Sequence, residues 1–142
     1  MQVYRLCRRP YADLSGEGGR LVSGRWHTAG RHVTYTAYEP ALAVLEVRVH
    51  LDLPFEFLPN DYVLMEIEAV IPFEAVEDMD SIANPREIGD AWLAGQTSPM
   101  LKVPSVLAPH GWNYLLNPRH SDAKKVSVVS VTAFKFDPRL WS

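Results

Sequence analysis

The sequence predicts a compact mixed α+β domain, and three observations carry that expectation. Segments with strand character outnumber those with helical character. The two kinds alternate along the chain instead of being segregated into separate blocks. The composition, 47% hydrophobic and 22% charged over 142 residues, is that of a globular chain able to bury a core. That length fits one domain over residues 1–142.

The elements follow in order. "QVYRLCR" sets Val3, Arg5 and Cys7 against Tyr4 and Leu6, the alternation of a first strand. "LSGEGGRLVSGRW" holds four Gly residues and reads as a loop of tight turns. The β-branched and aromatic run from Arg31 to Thr36 reads as a strand. Pro40 suits a first helical turn, and the Ala and Leu residues after it predict a helix from Pro40 to Leu51. "DYVLMEIEAVIP" alternates Met65 and Ile67 with Glu66 and Glu68, a strand with one solvated face. "SIANPREIGDAWLAGQ" is helical, with Pro85 near its start and Ile88, Trp92 and Leu93 on one side. "MLKVPSVLAP" is a short buried strand broken by Pro104. "GWNYLLNPRHSDAKK" is a strand followed by a turn or short helix. "VSVVSVTAFKF" is a last strand, and "FDPRLW" a docked tail.

One residue does not match its surroundings. Leu42, Leu45 and Val49 form an apolar stripe at helical spacing, and Glu46 lies on or beside it. A plain alternative is a half-exposed Glu at the stripe's edge. A buried carboxylate requires donors or a cation. Arg25 in the Gly-rich loop offers the cation, and Tyr35 an aromatic face and a hydroxyl. An Arg fork, a stacking ring and a carboxylate together suit a nucleotide with a reactive sugar.

The ordered pattern Arg5, "SGRW", "VTYTA", "ALAVLE", "VPS", "NYLLNPRH" and "FDPRLW" resembles the RES-domain family, over Tyr4 to Leu140. Much follows from the resemblance alone. It implies a fold similar to ADP-ribosyltransferase toxins and action on NAD, which is consumed as a substrate with no separate cofactor. Arg25 matches the family Arg, Tyr35 the motif Tyr, Glu46 the catalytic Glu and Ser105 the motif Ser. Arg5 matches an earlier family Arg expected to face the pocket. The implied roles are pyrophosphate binding by Arg25 with help from Arg5, and Tyr35 at the nicotinamide end. Ser105 would bind the amide or a ribose hydroxyl, and Glu46 would stabilise charge on the sugar. The implied partner is an Xre-like helix-turn-helix antitoxin, and a homodimer within that complex is compatible. Ser23 and His27 depart from the family's more usual Gly and Asn.

Other classes fit less well. A net charge of −3 gives no general attraction to nucleic acid or anionic lipid. A ribonuclease toxin, the chief alternative, would need a basic groove. A non-catalytic binding module with the same fold would be attractive if Arg25 or Glu46 were missing, and both are present. The five His residues show no H-E-x-x-H spacing, so no metal site is expected. The single cysteine, Cys7, reads as a small buried hydrophobe. Trp26, Trp92, Trp112 and Trp141 read as core or interface anchors, with nucleotide stacking an alternative for Trp26. No apolar run reaches the roughly 20 residues of a membrane span, and no signal segment is visible, so the cytoplasm is the expected location.

Overall fold

The structure is a computed structural model and describes residues 1–76 and 83–141. Seven strands form one sheet: β1 (Gln2–Arg8), β2 (Thr34–Ala37), β3 (Tyr62–Ala69), β4 (Glu74–Ala75), β5 (Met100–Pro104), β6 (Trp112–Leu116) and β7 (Val126–Ala133). Among the described residues three α-helices join them: α1 (Glu17–Leu21), α2 (Pro40–Arg48) and α3 (Pro85–Gly95). The spatial order is β4-β5-β6-β2-β1-β3-β7, and every pairing is antiparallel except β4 with β5. The mixed α+β expectation is met.

The central pairing is the weakest. β1 and β2 meet at a single position, Tyr4 opposite Ala37, although all four residues of β2 pair with β6 on its other side. By contrast β1 pairs with β3 along its full length, from Gln2 opposite Glu68 to Arg8 opposite Tyr62. The sheet is therefore two groups of strands joined at one point, and α2 packs across that point on both β1 and β2.

Strand alternation divides the side chains between two faces. On one face Val3, Met65, Ile67, Met100, Tyr114 and Leu116 form a cluster. Cys7 packs at its margin, and burial pushes its thiol pKa up, which suits an inert side chain. The other face carries two clusters. Leu6, Ala37 and Tyr62 pack with Leu42 and Ala43 of α2. Leu101, Val103 and Leu115 pack with Trp26, Val33 and, from α3, Trp92 and Leu93. Both long helices thus lie on this second face. Trp26, only 3% exposed, is a core anchor, and its ring is not available for nucleotide stacking.

Several boundaries differ from the sequence expectation for local reasons. α2 stops at Arg48, and the amides of His50 and Leu51 bond three residues back, a tighter turn than an α-helix. The Gly-rich segment contains α1, stabilised by an Arg20–Glu17 pair one turn apart. β4 was not expected, since two residues show no alternation. The expected helix began at Ser81, and its first residues, 81–82, lie outside the described ones. The expected stripe Leu42, Leu45 and Val49 is not the buried face: Leu42 is buried, but Leu45 and Val49 are 40% and 53% exposed.

Candidate active site

Glu46 projects from the second turn of α2. Two features start that helix: Pro40 at its first position, and the Glu39 side chain, which accepts from the Ala41 and Leu42 amides at 3.0 and 2.6 Å. The half-buried Glu46 carboxylate accepts a hydrogen bond from Ser105 Oγ at 3.1 Å. Ser105 follows β5, where Pro104 ends the ladder. Its hydroxyl accepts from the Leu107 amide at 3.1 Å, and its own amide donates to Gly111 O at 2.8 Å. The Leu107 amide can only donate and an ionised carboxylate only accept, so the hydroxyl proton is directed at Glu46. Ser105 thus orients the carboxylate in this structure.

Tyr35 anchors a second group. Its hydroxyl accepts from the Trp26 amide at 3.1 Å and lies 2.8 Å from His27 Nδ1. The other nitrogen, His27 Nε2, faces two carbonyls, Gly19 O at 2.8 Å and Val22 O at 3.0 Å. Carbonyls only accept, so Nε2 carries a proton and donates to them, and Nδ1 is the nitrogen that pairs with the Tyr35 hydroxyl. The fit is close: a Cβ on Gly24 would stand 2.6 Å from the Tyr35 hydroxyl. Burial pushes the Tyr35 pKa up to about 12. The His at position 27 is therefore a buried hub that ties α1, the 23–28 turn and β2 together.

That turn presents Arg25. Its side chain is exposed and makes no hydrogen bond or ion pair to the described residues. It lines a cleft of about 490 Å³ together with Thr28, Arg86, Glu87 and Asp90. Asp90 is engaged: its carboxylate accepts from the Thr28 amide at 2.9 Å and hydroxyl at 2.6 Å, and Arg31 lies 3.3 Å away. Burial raises the Asp90 pKa, but these donors and charges outweigh it and hold the carboxyl below its ordinary value.

The five residues singled out from the sequence fall into three places. Glu46 and Ser105 touch. Tyr35 and Arg25 share the turn at 24–27. Both groups belong to the sheet face that carries α2 and α3, although Glu46 does not line the 490 Å³ cleft. Arg5 is apart from both. It alternates with Tyr4 and Leu6, so it belongs to the opposite face. There its Nη1 donates to Tyr11 O at 2.6 Å and Asp13 O at 3.1 Å. The expectation that Arg5 faces the pocket is not met in this structure, because the 11–13 carbonyls hold its guanidinium elsewhere.

Arg86, Asp90 and Thr28 were not singled out from the sequence. Arg86 and Asp90 sit 62 residues from their partners Gly24 and Thr28, and no local pattern reports a contact of that span. Among the described residues, no group of three or more His, Cys, Asp or Glu side chains is arranged to hold a metal ion. No described helix is long and apolar enough to cross a membrane.

Comparison with known proteins bears on the family and the fold. The RES domain family model matches residues 2–137. A protein of Pseudomonas putida named Toxin Res is 40% identical over 140 residues, covering 92% of this chain and 94% of that protein. The Prs ADP-ribosylating toxin of Sphingobium is 35% identical over 144 residues, covering 90% of this chain and 86% of that protein. Among solved structures, the M. tuberculosis MbcT-MbcA toxin-antitoxin complex contains a chain with a TM-score of 0.69. That match covers 98% of this chain and 85% of the other at 16% identity, so it bears on the fold alone. A family model spanning nearly the whole chain, together with these relatives, shows that the chain belongs to the RES-domain family.

Proposed function

We propose that this protein is the toxin of a toxin–antitoxin pair and that it breaks the bond between nicotinamide and ribose in NAD. The observation that carries the reading is the Ser105–Glu46 bond, an oriented carboxylate on the sheet face that also holds Arg25. The names of the relatives, Toxin Res and an ADP-ribosylating toxin, support it.

The chemistry follows from the bond. The N-glycosidic C–N bond breaks with its electron pair leaving on the nicotinamide nitrogen, which loses its positive charge. The sugar passes through an oxocarbenium-like state. Glu46 stabilises that developing charge, and Ser105 keeps the carboxylate turned toward it. No general acid is required, since nicotinamide leaves as a neutral molecule. An acceptor oxygen then bonds to the anomeric carbon and gives up its proton. With water as acceptor the protein is a glycohydrolase, with phosphate a phosphorylase, and with a protein side chain a transferase.

An enzyme that consumes NAD needs restraint in its own cell. Leu45 and Val49 on the outer side of α2, one residue before and three after Glu46, leave apolar side chains exposed. This surface supports docking of an antitoxin, in our reading an Xre-like protein that covers the site.

The test is direct. Purified protein is incubated with NAD alone, with phosphate and with cell extract, and the products are separated. Nicotinamide release is expected, and the partner product identifies the acceptor. Intact NAD under all three conditions, with RNA cleaved instead, would establish the ribonuclease alternative.

A further inference from the structure

We propose that Arg86 is the second arm of an anion clamp closed by Arg25, and that the clamp takes the pyrophosphate of a dinucleotide. The proposal rests on the reading of NAD as substrate for its physiological ligand, but its geometry stands separately. Arg86 lies in the first turn of α3, and Nε donates to Gly24 O at 3.0 Å. That carbonyl belongs to the residue immediately before Arg25. One edge of the Arg86 guanidinium therefore fixes the turn, and the turn presents Arg25. The Nη groups of Arg86 make no hydrogen bond or ion pair to the described residues, and neither does the Arg25 guanidinium. Both side chains line the same cleft.

The remaining charges of that cleft favour an anion. Asp90 is occupied by Thr28 and Arg31. Glu87 is the only other carboxylate among the described lining residues, so two guanidiniums stand against one unengaged carboxylate. A guanidinium offers parallel N–H donors that match two phosphoryl oxygens. Two guanidiniums on one cleft match two linked phosphoryl groups better than a lone carboxylate. The seat of the turn is rigid, because Gly24 rests against the Tyr35 hydroxyl and that hydroxyl is tied to Trp26 and His27. Arg86 consequently has two roles: one edge positions Arg25, and the other binds.

Inorganic pyrophosphate is the probe, titrated calorimetrically into the purified full chain. Arg86→Ala is expected to weaken its binding about tenfold or more. Arg86→Lys keeps the charge but not the fork and should fall between Arg86→Ala and the wild type. Glu87→Gln removes the opposing charge and should tighten binding. In NAD turnover, Arg86→Ala should raise KM about tenfold with kcat nearly unchanged, the pattern of a binding group and not of general damage. Wild-type protein that does not bind pyrophosphate, or folded Arg86→Ala and Arg86→Lys that bind it like wild type, would overturn the clamp. Arg86-dependent pyrophosphate binding in a protein that leaves NAD intact would keep the clamp and remove NAD as its ligand. NAD turnover with binding indifferent to Arg86 would do the reverse.

Discussion

At the scale of single residues, two hydroxyl groups set the chemistry. The Ser105 hydroxyl donates to Glu46 and is itself held by the Leu107 amide, so the carboxylate is oriented before any substrate arrives. Glu46→Gln keeps the shape and removes the charge. The expected loss is about 3–4 kcal/mol of transition-state stabilisation, or roughly 10²–10³ in kcat, with a smaller change in KM. Ser105→Ala should cost less, about tenfold in kcat, because it disorders the carboxylate without removing it. Adding Ser105→Ala to Glu46→Gln should cost little more, since both act on one interaction. Steady-state kinetics with melting curves as controls would check this. Folded Glu46→Gln with wild-type turnover would return Glu46 to a half-exposed residue without a catalytic part.

The second hydroxyl, on Tyr35, predicts a pH dependence of stability. Burial raises its pKa to about 12 from an ordinary 10. The folded state thus holds this proton more tightly than the unfolded chain. The stabilisation is fully present below pH 10 and is lost as pH rises toward 12, a difference of about 3 kcal/mol at most. Tyr62 and Tyr114 are also raised by burial, so part of the alkaline loss has other sources. Tyr35→Phe should be less stable than wild type at neutral pH, having lost the bonds to Trp26 and His27. That deficit should shrink between pH 10 and 12. Chemical denaturation at a series of pH values would show it, and a constant deficit across that range would refute the assignment.

At the scale of elements, α2 owes its placement to its two ends more than to an amphipathic pattern. Its start is capped by Glu39. Its end is held by the C-terminal tail. The Arg48 guanidinium stacks 4.0 Å from the Trp141 ring, Arg48 Nε donates to Leu140 O at 3.0 Å, and Nη1 donates to Leu51 O at 3.1 Å. Trp141 in turn donates from Nε1 to Leu53 O at 2.8 Å and packs edge-on against Phe55 and Phe136. Trp141→Ala removes a cation–π contact, a hydrogen bond and two aromatic contacts. The expected destabilisation is about 2–3 kcal/mol, with faster amide exchange concentrated in α2 and residues 49–55. Unchanged exchange in α2 would show that the tail does not hold it. The docked tail was legible in "FDPRLW", because an apolar aromatic at the end of a polar run has to be buried somewhere. Its target was not, and nor was the exposure of Leu45 and Val49, since Leu, Ala and Val nearly all round a helix leave its buried side undetermined.

At the scale of the whole molecule, the defining feature is a sheet whose halves meet only at Tyr4 and Ala37. One face closes on the Val3, Met65 and Met100 cluster, and the other carries both long helices and the candidate site. The sequence by itself determined the types of the longer elements, though not of the short α1 and β4, because capping and alternation act over a few residues: Pro40 and Pro85 start helices, and Met65 and Ile67 alternate with Glu66 and Glu68. It also determined which side chains have the chemistry to act. Only the tertiary structure decided which of them meet. Glu46 and Ser105 are 59 residues apart, and Arg86 and Gly24 are 62. Strand parity sent Arg5 to the other face, where nearby carbonyls hold it. Contacts of that span depend on strand order and helix placement, which arise from packing the whole core at once and leave no trace in any short stretch of chain.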